Sequence, residues 1–143
     1  MEPHIYSVDL NWNAARSGEL YAAELSDKIK VATPPPFEGG VAGVWSPEHL
    51  LTAAVCSCFM TTFLAIAANS KLEFIAFSCA AKGKLEQIEG KYLITQIELF
   101  PVVKLTKAED SEKAERILAK SEKACLIANS IKSTVSLHTS ITF

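Results

Sequence analysis

No glycine-rich phosphate loop, Walker sequence or nucleophile elbow occurs anywhere in these 143 residues. No long basic run occurs either. Fourteen basic side chains stand against sixteen acidic ones, a formal charge of −2 with a pI near 5.9. That balance argues against nucleic acid or an anionic membrane as the main partner. Glycine and proline are scarce, six of each, so the chain is neither a linker nor a fibrous repeat. The first residues, MEPHIYSVDLNW, lack the basic stretch followed by an apolar one that marks a secretory signal. The expectation is therefore a reducing compartment, the cytoplasm, where Cys56, Cys58, Cys79 and Cys125 would not form a structural disulfide framework.

What is present fits one globular domain over residues 1–143. Apolar residues make up 49% and charged residues 21%, which rules out intrinsic disorder. Residues 4–12 and 19–25 alternate as strands, with Arg16-Ser17-Gly18 as a turn between them. A third short strand, 29–34, is stopped by Pro34-Pro35-Pro36, and 33–45 reads as a loop. The strongest helix signal follows, with Ser46 as N-cap, Pro47 at the first position and Glu48 in the first turn. It should run to about Asn69. Residues 50–68 carry no charge and are apolar nearly all round, which predicts burial or a membrane span. Thr52, Ser57, Thr61 and Thr62, and the strand patterns on either side, favour burial. Strands are expected at 73–86 and 91–105 around a Glu89-Gly90 turn, an amphipathic helix at 107–124, a turn after Cys125 and a last strand at 133–143. The order βββ-α-ββ-α-β is an α+β pattern. Six short strands and one amphipathic helix are too few to cover an all-round apolar helix, so a homodimer built around residues 47–69 is expected.

Chemistry rests on few residues. A buried cysteine is ordinarily a small hydrophobe. As a nucleophile, Cys58 must be a thiolate, and a thiolate among apolar residues needs a nearby cation to offset its desolvation. Only two arginines exist. Arg116 sits among the charges of the second helix, and Arg16 sits in a tight turn. Glu48 is either a plain first-turn acid or the carboxylate that holds an arginine in a bidentate pair. It lies ten residues before Cys58, roughly 15 Å along the helix axis. Cys56 and Cys58 point roughly 200° apart on a helix and cannot readily share a metal or a disulfide. His4, His49 and His138 are scattered, which disfavours zinc. Cys79, in a strand, reads as packing.

Four segments together resemble the OsmC/Ohr family of thiol peroxidases that reduce organic hydroperoxides. Ala15-Arg16-Ser17-Gly18 is similar to its Arg-x-Gly turn, and VATPPPFEGG to the strand and loop that follow. SPEHLLTAAVCSCF resembles its Asn-Pro-Glu-x-Leu helix with a Cys-Phe pair, with Ser46 in place of Asn. EKACLIANSI resembles its second cysteine segment, with Leu126 where proline is usual. The resemblance implies an α+β fold with antiparallel sheets packed around a long buried central helix, in an intertwined homodimer. It further implies Cys58 as peroxidatic and Cys125 as resolving cysteine, with Arg16 activating Cys58 and orienting the peroxide, and Glu48 positioning Arg16. An external dithiol of lipoyl type would restore the thiols, and no metal or bound organic cofactor is needed. Phe37, Trp45, Phe59 and Met60 would favour apolar hydroperoxides. Two other classes stay open: a catalytically silent dimer binding a small apolar ligand, and a purely structural dimer whose cysteines only pack.

Overall fold

The computed structural model describes all residues from Met1 to Phe143, and they cluster into two compact units, Met1–Leu50 and Leu51–Phe143. The first unit is a three-stranded antiparallel sheet in the order β1 (Asp9–Ala14), β2 (Ser17–Tyr21), β3 (Ile29–Ala32). The β1–β2 hairpin turns at Ala15 and Arg16, with Ala15 at φ 49, and not at Arg16–Gly18 as the sequence suggested. Trp12 donates its indole N–H to the Ala15 carbonyl at 3.1 Å, which holds the turn. Residues 4–8 and 22–25 were expected in strands and are not. Asp9 pairs with Tyr21, and the chain turns away where Leu25 N–H bonds the Ala22 carbonyl, so nothing lies opposite residues 4–8.

The segment 33–45 is a loop closed by its own hydrogen bonds. Val41 N–H reaches Thr33 O at 2.8 Å, Phe37 N–H reaches Pro34 O at 3.1 Å and Gly40 N–H reaches Phe37 O at 2.9 Å. Gly40 is required there, since a Cβ would fall 2.1 Å from the Pro34 carbonyl oxygen. The loop delivers Ser46 to the start of α1 (Pro47–Asn69). Ser46 is fully buried and its Oγ accepts the His49 N–H at 3.2 Å, while His49 Nδ1 accepts the Ser46 N–H at 3.2 Å. This is a reciprocal capping box in which a histidine ring does the work usually given to Glu or Gln.

The second unit carries the main core. At the end of α1, Leu72 N–H bonds Ala67 O and Lys71 N–H bonds Ala68 O, a Schellman closure with Lys71 in the left-handed position at φ 55. A long antiparallel hairpin follows, β4 (Phe74–Ile88) and β5 (Lys91–Leu105). Its turn is Glu89-Gly90, both at positive φ, as a two-residue turn that matches strand twist demands. After a 3-10 turn at Ala108–Asp110 come α2 (Ser111–Ala124) and the short α3 (Leu126–Asn129). The expected helix 107–124 therefore begins as 3-10 turn, and the expected turn after Cys125 is helical.

The expected last strand, 133–143, is two strands, β6 (Thr134–Leu137) and β7 (Ser140–Thr142), both parallel to β5. Pro101 explains the break. His138 N–H bonds Leu99 O, so Leu99 and, two residues on, Pro101 present their backbone toward this edge. Proline has no N–H to give, and pairing lapses between Leu99–Leu137 and Val102–Ser140.

Val55, Phe59, Phe63 and Ala67 form a stripe four residues apart along α1, all buried. Phe63 stacks on Phe77 at 4.7 Å between ring centroids and meets Phe74 edge-on at 5.4 Å. Ile97, Leu99, Val103 and Leu105 supply the alternating inner face of β5, and Ala114, Ile117 and Leu118 the inner stripe of α2. Burial of α1 on all sides does not hold in the single chain. Met60 and Leu64 stay 39% and 41% exposed, because one sheet and one helix can cover only one stripe. The helix is long and apolar enough to cross a membrane, yet that stripe is committed to the β4–β5 core.

The capping box yields a stability test. Ser46→Ala should cost about 1–2 kcal/mol in urea denaturation by leaving the His49 N–H unmet. His49→Gln should retain most of that stability and His49→Ala should lose it, since glutamine can return the bond to Ser46. Equal losses would mean that His49 acts through its edge-on contact with Trp45 at 6.1 Å.

Candidate active site

Cys58 lies midway along α1, and its neighbour one turn on is Thr62, with Sγ and Oγ1 4.0 Å apart. Cys125 ends α2 and begins α3 at φ −64 and ψ 109. It is 1% exposed, with Sγ 4.0 Å from the Val55 carbonyl, three residues before Cys58 on α1. The two thiols lie close enough to act on each other's acidity. The opening amides of α3 have no acceptor within their own helix, and they turn to the sulfurs.

These contacts drive the two thiols apart in acidity. Burial alone pushes the Cys58 thiol up. Against it act the Ile127 N–H, the Cys125 thiol, the Thr62 hydroxyl and the Leu126 N–H, and together they bring Cys58 below the ordinary thiol value. Cys125 moves the other way. Burial raises it, and the neighbouring Cys58 raises it further through charge and hydrogen bonding, while the Ala128 and Ile127 amides offset only part. Cys58 is thus the more acidic thiol of the pair and Cys125 the less acidic.

On the other side of α1, Cys56 donates its S–H to the Cys79 carbonyl at 3.5 Å, and Cys79 donates to the Ala80 carbonyl at 3.5 Å. Burial and the nearby Cys56 push Cys79 up to about 12, so it remains a protonated thiol at neutral pH. No three side chains among His, Cys, Asp and Glu gather as a metal-binding group.

Arg16 and Glu48 belong to the first unit, and the two thiols to the second. Arg16 accepts the Thr33 N–H at its carbonyl, and its side chain lies along Gly39. A Cβ at Gly39 would sit 3.1 Å from Arg16 Cγ, and φ there is 75, so glycine is doubly favoured. Arg16 helps line a hollow of about 290 Å³ with Leu10, Trp12, Ala32 and Pro47. Glu48 is in the first turn of α1. Phe59, expected beside a substrate, is fully buried in the core stripe and cannot line a site.

The family model for OsmC-like proteins matches residues 40–140. The chain belongs to the OsmC-like family. It is 25% identical to the uncharacterised protein YmaD of Bacillus subtilis over 96% of this chain and 93% of that one. An OsmC-like protein of unknown function from Vibrio cholerae superposes with a TM-score of 0.82 at 25% identity, over 97% of this chain and 99% of that one. An organic hydroperoxide resistance protein from Elizabethkingia anophelis superposes at 0.76 with 18% identity, over 99% of each chain. The α+β architecture is that of OsmC/Ohr proteins, and the family includes proteins named for organic hydroperoxide resistance.

The sequence did not reveal the α3 amides. Their signal was the run of helix formers after Cys125, too short to register against four-residue periodicity. Leu126 also gains a meaning in this member of the OsmC-like family: it supplies an N–H that proline lacks. Leu126→Pro should therefore raise the pH at which Cys58 becomes alkylated by iodoacetamide and slow its alkylation at pH 7. The backbone suits that change, because position 126 opens a helix and the extended Cys125 tolerates a following proline. An unchanged alkylation profile in a folded variant would remove the Leu126 amide from the account.

Proposed function

We propose that the protein is a cysteine-based peroxidase that reduces organic hydroperoxides to alcohols. The observation that supports this most is the juxtaposition of Cys58 and Cys125 where the α2–α3 junction meets α1, with one thiol shifted down and the other up. The Cys58 thiolate attacks the distal oxygen of the hydroperoxide. The O–O bond breaks, the departing alkoxide takes a proton to become the alcohol, and Cys58 is left as a sulfenic acid. Cys125 stays protonated while Cys58 is anionic, because the Cys58 charge holds the Cys125 proton in place while the Cys125 thiol supports that charge. Once Cys58 carries a neutral S–OH, that charge is gone and Cys125 can ionise. Its thiolate attacks the Cys58 sulfur and closes an intramolecular disulfide, and the displaced hydroxide takes up the proton that Cys125 released and leaves as water.

Arg16 lowers the cost of the thiolate and orients the peroxide, and Glu48 holds Arg16 through a carboxylate–guanidinium pair. The apolar hollow beside Arg16 favours hydroperoxides with a hydrocarbon body. Both units work as one domain in this scheme. The protein acts as a homodimer, with the open face of α1 that carries Met60 and Leu64 set against a second copy. An external dithiol, of lipoyl type, reduces the disulfide by exchange, and the reaction runs in the cytoplasm.

One equivalent of cumene hydroperoxide should consume two thiols and release one alcohol. Cys58→Ser should abolish turnover. Cys125→Ser should leave one round of reduction, after which Cys58 oxidises irreversibly. Arg16→Ala should slow peroxide attack by about ten- to a thousand-fold through loss of thiolate and peroxide stabilisation. Arg16→Lys should rescue little, since a point charge lacks the fork. A Cys58→Ser variant with full turnover would overturn the proposal, and wild-type rates in Arg16→Ala would return Arg16 to a turn residue.

A further inference from the structure

Between the end of α1 and α2 lies a cavity of about 380 Å³, within the second unit and apart from the thiols. Its walls are Ile66, Ser70, Lys113, Arg116, Ile117 and Lys120. Ile66 is eight residues beyond Cys58, roughly 12 Å along the helix axis. Lys113, Arg116, Ile117 and Lys120 fall on one face of α2, so three cations ring an apolar floor. Ile117 is 5% exposed, which makes that floor part of the core surface.

Local structure accounts for only one of these charges. The last turn of α1 holds no basic residue of its own, and Lys113 Nζ donates to the Lys71 carbonyl just beyond it at 3.5 Å. A cation there suits the negative end of the helix. Arg116 and Lys120 have no such role. Glu112 stands four residues before Arg116, the spacing of a helical ion pair, yet neither Arg116 nor Lys120 forms a salt bridge. In a chain with an excess of carboxylates, two unpaired cations on one cavity wall are a site for an anion.

We propose that this cavity binds an organic monocarboxylate with an apolar tail. The guanidinium fork of Arg116 matches the two carboxylate oxygens, Lys120 adds a second charge, and Ser70 offers a hydroxyl. Ile66 and Ile117 take the hydrocarbon. A bare inorganic anion leaves that floor wet, and a neutral alcohol leaves the cations unpaired. The volume lies within the usual span of small-ligand sites, roughly 300–1,000 Å³.

Octanoate titrated into the isotope-labelled full chain, followed by amide chemical shifts, tests this. Saturable shifts should centre on Ile66, Ser70 and the Arg116–Lys120 turn. Octanol and inorganic phosphate should each bind at least tenfold more weakly. Arg116→Gln with Lys120→Gln should weaken octanoate at least tenfold, with peroxide turnover unchanged, and Arg116→Lys should fall between. Arg16→Gln should leave octanoate affinity unaltered. Four results overturn the proposal: undiminished affinity in the double variant, equal binding of phosphate, equal binding of octanol, or loss of octanoate on Arg16→Gln. The last would transfer the ligand to the hollow of the first unit.

Discussion

A thiol withdrawn from water becomes more acidic only where donors replace the solvent it has lost, and the second unit supplies such donors at Cys58. Cys58 draws them from three sources. Thr62 comes from its own helix, Cys125 from the end of α2, and the Ile127 and Leu126 amides from the start of α3. Neither Cys125 nor the α3 amides would reach the sulfur if α2 stopped elsewhere. Its buried stripe of Ala114, Ile117, Leu118 and Ser121 holds α2 on the core, and Cys125 is the next buried position beyond it. Ser121, buried inside that stripe, returns its hydroxyl to the Ile117 carbonyl at 2.6 Å and leaves no polar group unmet.

The central helix serves two demands at once. The stripe of Val55, Phe59, Phe63 and Ala67 binds it to β4 and β5, mostly through aromatic rings. Cys58 and Thr62 share the adjacent face, one turn apart, where they meet the α2–α3 junction. Cys56 faces β4 instead, and its partner Cys79 is held protonated by burial. Two cysteine pairs thus flank one helix, and only the pair at the α2–α3 junction contains a thiol shifted down. Several donors, the Ile127 and Leu126 amides among them, bring Cys58 down, whereas burial outweighs the Phe100 amide at Cys79.

Much of this could be read from residues alone, where a local rule acts without competition. Ser46-Pro47-Glu48 marked the helix start, and Glu89-Gly90 marked the hairpin turn, because capping and positive φ are decided within a few residues. Tertiary pairing decided the rest. Residues 4–8 alternate like a strand but have no opposing chain, and the last strand breaks at a proline more than thirty residues upstream. The helix predicted to be buried on all faces is buried along one, since composition reports what must be covered and not what covers it. In the site, sequence singled out Cys58 and Cys125 through resemblance, whereas the donor role of the Leu126 and Ile127 amides depends on backbone direction, which side-chain identity does not encode.

The central claim is that Cys58 and Cys125 are the reacting pair and that Cys56 and Cys79 are bystanders. Peptide mapping by mass spectrometry after one equivalent of cumene hydroperoxide tests it most directly. The account predicts a single Cys58–Cys125 bridge, with Cys56 and Cys79 recovered as free thiols. A bridge that includes Cys56 or Cys79, or four thiols still reduced, would contradict it.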